Sequence, residues 1–289
     1  MTTVIISSTQ DEASTNIKKG LLSIGDWTET NIFFNKPVFK LIDKDVIMVT
    51  INDKTILHEG LVQQIEKELE ILPEKAIFIS RHRSKSGKPT LTTHPIGNYG
   101  TASFGGKQKT LCTALPYMMT TLLRTMKRFA ENEKLYHDIG FEVTHHGPYM
   151  SIPTLFAEVG STMVEWKKTK PAEVVAQSIL TLLSVPKEEK EKWNEMPVLI
   201  GVGGGHYAPR FSSVVFQKKV AFGHMIPNYH IQSGNIDKNI LKKAIDATPH
   251  ASGVYLDRKA LSKATRAQFQ EWCDNLDIPL VSSKDFTDL

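Results

Sequence analysis

Val198-Leu199-Ile200-Gly201-Val202-Gly203-Gly204-Gly205-His206-Tyr207-Ala208-Pro209, opened by Pro197, joins an apolar run to a glycine-rich turn that ends on a histidine. Such a run reads as a short strand buried on both faces, the habit of parallel strands covered by helices. Working outward, Val4–Ser7, Val46–Ile51, Ala76–Ser80, Gly253–Leu256 and Leu280–Val281 read the same way. Between them lie helical patterns. Ala13, Ile17 and Leu21 follow a capping-box spacing at Thr9 and Glu12; Leu57, Leu61, Ile65 and Leu69 recur every four residues. Further helices are expected after Pro116, between Pro171 and Pro186, over Ile240–Ala247 and over Lys263–Leu276. Strands alternating with helices predict the α/β class, as a single compact domain over 1–289 with a mostly parallel sheet flanked by helices.

In open α/β sheets, ligands bind beyond the carboxyl ends of the strands. Here those ends carry Arg81-His82-Arg83, the polar stretch Leu91–Asn98 with His94, which reads as a loop, and His206 after its glycines. Gly203-x-Gly205-x-x-Ala208 formally fits a dinucleotide fingerprint, but Tyr207 and Pro209 interrupt the phosphate turn and no acid follows before Asp237. The glycines suit close backbone approach to a substrate, or a tight turn. Phe141–Pro148 reads as a strand entering a turn, with Glu142 and His146 on one face and His145 on the other. For both histidines to meet one metal, the backbone must leave strand geometry near Gly147. No zincin or Cys/His spacing is present, so the same histidines suit either a metal or general-base catalysis on water. His224, beside Gly223, joins the candidates, whereas His58, His137, His230 and His250 read as surface residues.

The net charge of +4 decides little, but its distribution says more. Between Lys75 and Ala130 there are ten cations and no acid, and Met196–Ile236 is also free of acids, as expected if one face meets a polyanion. Cys112 and Cys273 suggest neither a disulfide framework nor a cysteine metal site, and a reducing cytosol follows. No secretory pattern and no run of about 18 apolar residues is present, so a soluble, cytoplasmic protein is expected.

Ser80-Arg81-His82, Pro89-x-Leu91-Thr92-x-His94, Gly97-Asn98, Thr144-His145-His146-Gly147-Pro148, Gly203–Pro209 and Gly223-His224 with Pro227 and Tyr229 together resemble the archaeal and plant-type D-aminoacyl-tRNA deacylases in order and spacing. Ile96 and Val143 depart from that pattern without replacing a histidine. The resemblance implies a fold similar to peptidyl-tRNA hydrolases and nucleoside phosphorylases, zinc as cofactor, and a monomer acting on the acceptor end of D-aminoacyl-tRNA. On that reading His82, Glu142, His146 and His206 are assigned to catalysis and His145, His146 and His206 to a metal. Arg81, His94, Asn98, Gly203, Gly204, Gly205, Tyr207 and His224 would bind substrate, with the glycine amides facing the oxyanion; Arg83, Lys85 and Lys88 would hold tRNA phosphates. A peptidyl-tRNA hydrolase, a nucleoside phosphorylase and a non-enzymatic RNA-binding protein are the alternatives. The last would need stacking aromatics among its cations, and Phe78, Tyr99, Phe104 and Tyr117 are thinly spread.

Overall fold

A computed structural model describes residues 2–289. Its first strands are β1 (Thr2–Ser8), β2 (Trp27–Phe33), β3 (Lys36–Leu41), β4 (Val46–Ile51) and β5 (Pro73–Arg81). They are followed by β6 (Thr90–His94), the short pair β7 (Gly97–Asn98) and β8 (Thr110–Leu111), β9 (Asp138–Phe141) and β10 (Thr154–Gly160). The last four are β11 (Val198–Val202), β12 (Ala221–Ile226), β13 (Ala251–Leu256) and β14 (Leu280–Val281).

These strands divide between two main sheets. One has the order β2-β3-β4-β1-β5-β10-β6-β9, and the other is β12-β11-β13-β14. The second is parallel throughout, as are β4, β1, β5 and β10 in the first. The α/β class with mostly parallel strands and flanking helices therefore holds, with antiparallel additions at the margins of the larger sheet.

Side-chain alternation explains the layers. In β1, Ile5 points into a core built with the helices Glu12–Ile24, Pro116–Asn132 and Thr169–Leu183, whereas Val4 and Ile6 point toward the helix Leu61–Leu69. In β11, Leu199 joins the first core, while Ile200 and Val202 pack under the helices Lys238–Asp246 and Lys263–Asn275. The two sheets thus share apolar packing, with Phe222 and Tyr255 in one cluster with Ile77 and Leu155.

Three local expectations need correction. Glu12–Ile24 is capped by Asp11, which accepts the Ser14 amide at 2.9 Å, rather than by Thr9. Leu57 lies outside the helix Leu61–Leu69, in a single 3-10 turn. The stretch from Leu91 to His94 is strand, fully buried, because β10 pairs with it and shields its threonines. Among the described residues, no helix is long and apolar enough to cross a membrane.

Candidate active site

The seam between the two sheets holds the histidine cluster. Beyond β9, the Glu142–His145 segment is stitched to both sides: the Val143 amide donates to the His206 carbonyl, the Thr144 amide to the Met225 carbonyl on β12, and His145 bridges to Ile96. His146 then turns to φ +47, so the backbone does leave strand geometry where a two-histidine site requires it. Gly147 follows because a Cβ there would lie 2.2 Å from the Gly106 nitrogen.

On the other wall, Asp11 accepts the Ser80 hydroxyl at 3.0 Å and the Arg81 amide at 2.9 Å, fastening the end of β5 to the start of the helix Glu12–Ile24. His82 is pinned by its amide to the Val159 carbonyl and by its own carbonyl, which accepts the Trp166 indole N–H. These contacts aim its ring at two buried carboxylates. His82 Nδ1 stands 3.0 Å from Glu142 Oε1 and 3.6 Å from Glu158 Oε2. His206 Nε2 is 2.9 Å and His145 Nε2 3.5 Å from Glu142 Oε2; His94 Nε2 is 3.7 Å from Glu158.

Electrostatics follow from this crowding. Burial would keep His82 neutral, but Glu142 and Glu158 override it and push the ring up to about 11, an imidazolium at neutral pH. Burial alone would raise the Glu142 carboxyl; the charge of His82 and contact with His206 hold it well below the carboxylate range. Glu158 is likewise lowered, against its burial, by His82 and His94. His145 and His146 go the other way, held low by burial and by neighbouring imidazoles, His146 at about 4.

The tautomers can be read from backbone partners, because a carbonyl only accepts. His94 Nδ1–H donates to Pro95, His145 Nδ1–H to Val143 and His146 Nδ1–H to Gly147. Each ring therefore turns Nε2 toward the common space, and one ligand atom from each of the three lies within 4.8 Å of the others. A ring N–H fixed by a carbonyl is the second shell that metal-binding histidines use. Both Glu142 oxygens and His94 Nε2 are buried with no hydrogen-bond donor or acceptor aimed at them, despite their close contacts. His145 and His146, held neutral, offer lone pairs, whereas Glu158 favours a proton on His94 Nε2 that a cation would displace; with the two carboxylates they form a nitrogen/oxygen donor set that fits a zinc-type cation. His206 groups instead with His82 and Glu142.

A cavity of ≈ 660 Å³ opens over this floor, lined by His82, His145, His146, His206 and Glu158, with Arg81, Arg83 and Asn98 at its walls. Several expected residues lie elsewhere. The His224 side chain is wholly buried: its Nε2–H donates to the Cys112 carbonyl at 2.8 Å and its Nδ1 accepts the Thr144 hydroxyl at 3.0 Å. It is a strut between segments and has no route to substrate. The Gly203 amide is committed to the Ile226 carbonyl at 2.8 Å, so it cannot serve an oxyanion; its φ of +108 makes the turn that presents His206. Tyr207 reaches His82 Nε2 at 2.9 Å from the far side, and with Lys88 it lines a separate cavity. Arg83, Lys85 and Lys88 are exposed, whereas Arg124, from the same basic stretch, donates to the Val215 and Lys218 carbonyls.

Sequence reasoning missed Glu158, whose only signal is a charge inside the apolar strand Leu155–Val159, and Asp11. His230, read from the sequence as a surface residue, and Tyr229, quoted there without a role, also line the cavity. His58 and His137 are buried rather than exposed, paired with Asp53 and Glu165.

Burial holds His224 near 4, and this sets a stability test. Between that value and about 6.5 the unfolded chain binds the extra proton, so stability is complete above 6.5 and falls as pH drops toward 4, by about 3 kcal/mol from this ring. Urea midpoints measured over pH 4–7 should show a slope that is reduced in His224→Asn; an unchanged slope would refute the assignment.

The chain is similar to known proteins over nearly its whole length. The family model described as D-aminoacyl-tRNA deacylase matches residues 69–281. A D-aminoacyl-tRNA deacylase of Pyrococcus furiosus is 34% identical over 281 residues, covering 96% of this chain and 98% of the relative. One of Methanosarcina acetivorans is 33% identical, covering 97% and 92%. The crystal structure of a conserved protein of unknown function superposes with a TM-score of 0.87 at 30% identity, over 99% of this chain and 98% of that one.

Proposed function

Because the chain belongs to the D-aminoacyl-tRNA deacylase family, we propose that its histidine–glutamate cluster hydrolyses the ester joining a D-amino acid to the terminal ribose of tRNA. The observation that carries this reading is the buried Glu142 contacted by His82, His145 and His206, three histidines that line a cavity with Arg81 and Arg83 on its walls.

His206 serves as general base. Its side chain is 37% exposed, with one edge on Glu142, so it meets water from the cavity and has a carboxylate 2.9 Å away to stabilise the charge it gains. Water loses a proton to His206 and its oxygen bonds to the ester carbonyl carbon. Collapse of the tetrahedral intermediate breaks the bond to the ribose oxygen, which takes the proton back from His206; the amino acid is released as its carboxylic acid and gives its second water-derived proton to solvent. His82, already cationic, balances the Glu142 charge and keeps that carboxylate ionised. Arg81 and Arg83 would draw in the phosphates of the acceptor end, with Lys85 and Lys88 further along the same loop. The enzyme would work in the cytoplasm as a monomer, over the single domain 1–289.

His94, His145 and His146 would hold a zinc ion, which supplies a Lewis acid for the ester carbonyl or for a bound water. Purified protein is expected to free tyrosine from D-tyrosyl-tRNA, to carry about one zinc per chain by elemental analysis, and to lose both metal and rate on chelation. His94→Ala should lower the zinc content in parallel. Full activity without bound zinc would remove the metal from the account; cleavage of N-acetylated L-aminoacyl-tRNA alone would favour a peptidyl-tRNA hydrolase.

A further inference from the structure

A second cleft, of ≈ 920 Å³, opens at the carboxyl ends of β13 and β14. Arg210, Arg258, Lys259, Lys263 and Arg266 line it, and among the described residues none of these five makes an ion pair. Its two carboxylates are turned to the backbone. Asp285 accepts the Ser282 amide at 2.7 Å, and Asp257 accepts the Lys259 amide at 3.3 Å. The cleft wall therefore carries an uncompensated positive charge, which an anionic ligand would neutralise.

Hydrogen bonds tie this wall to the turn and the segment that border the catalytic cavity. The Asp257 amide donates to the Val202 carbonyl at 2.8 Å, at the foot of the turn that carries His206. The Asn228 amide donates to the Gly204 carbonyl at 2.9 Å and its side chain to the Ala260 carbonyl at 3.0 Å, while the next residue, Tyr229, lines the catalytic cavity.

We propose that this cleft docks the phosphodiester backbone of the tRNA whose aminoacylated end enters the catalytic cavity; the proposal rests on the deacylase reading above. Arg258, Lys259 and Lys263 are exposed, so the triple variant Arg258→Gln/Lys259→Gln/Lys263→Gln should fold normally. Its kcat/KM for D-tyrosyl-tRNA at 0.1 M salt should fall about tenfold or more, and the slope of log(kcat/KM) against log[salt] should flatten by about 1 to 2. The D-tyrosyl ester of a short 3′-terminal oligonucleotide should react as with the parent protein. Equal effects on both substrates, or none on either, would overturn the proposal. So would unchanged tRNA kinetics accompanied by loss of binding to inorganic phosphate or ATP, which would make the cleft a small-anion site. Should the parent protein hydrolyse neither ester, the deacylase reading fails by itself. Filter binding of uncharged tRNA then decides the docking claim: weaker binding by the variant with a flatter salt slope sustains it, and identical binding rejects it.

Discussion

Glu142→Gln is expected to lower kcat on D-tyrosyl-tRNA by about 10²- to 10⁴-fold, the range for loss of acid–base assistance, with KM changed only a few-fold. The glutamine keeps the shape of the side chain but removes the charge that His82 and His206 face at 3.0 and 2.9 Å. His206 then has no buried anion to stabilise its protonated form, and His82 loses the nearer of its two carboxylates. Circular dichroism would establish that the variant is folded, and single-turnover kinetics would separate binding from chemistry. A kcat within threefold of the parent would exclude Glu142 from the reaction.

The second large effect concerns His206. His206→Ala should cost about 10²- to 10⁴-fold in kcat by the same reasoning, and the double variant with Glu142→Gln should be little worse than either single one, because base and partner act as a unit. Added imidazole should restore part of the rate, since the side chain it replaces is partly open to the cavity. Multiplying effects in the double variant would show that the two residues act separately.

The parts of the fold legible in the sequence are those where burial on both faces writes a continuous apolar run, as in β1, β4, β5 and β11. The hairpin of β2 and β3 was not legible: its two-residue turn is Phe34-Asn35, both at positive φ, where the common signal is Asn-Gly. β6 reads as loop because threonines and a histidine fill it, and its place between β10 and β9 accounts for their burial. Among histidines beside glycine, His146 and His206 line the cavity, but the same context surrounds His224, which bonds to the Cys112 carbonyl. Local sequence cannot tell a ring facing a cavity from one facing a carbonyl. Glu158 is hidden for the reverse reason, since its strand neighbours are apolar and its partners come from distant segments, His82 just past β5 and His94 at the end of β6.

The most direct test is hydrolysis of D-tyrosyl-tRNA and L-tyrosyl-tRNA by the purified protein, side by side under single-turnover conditions. The account predicts rapid release of tyrosine from the D-ester and loss of the L-ester no faster than in buffer; equal cleavage of both, or of neither, would contradict it.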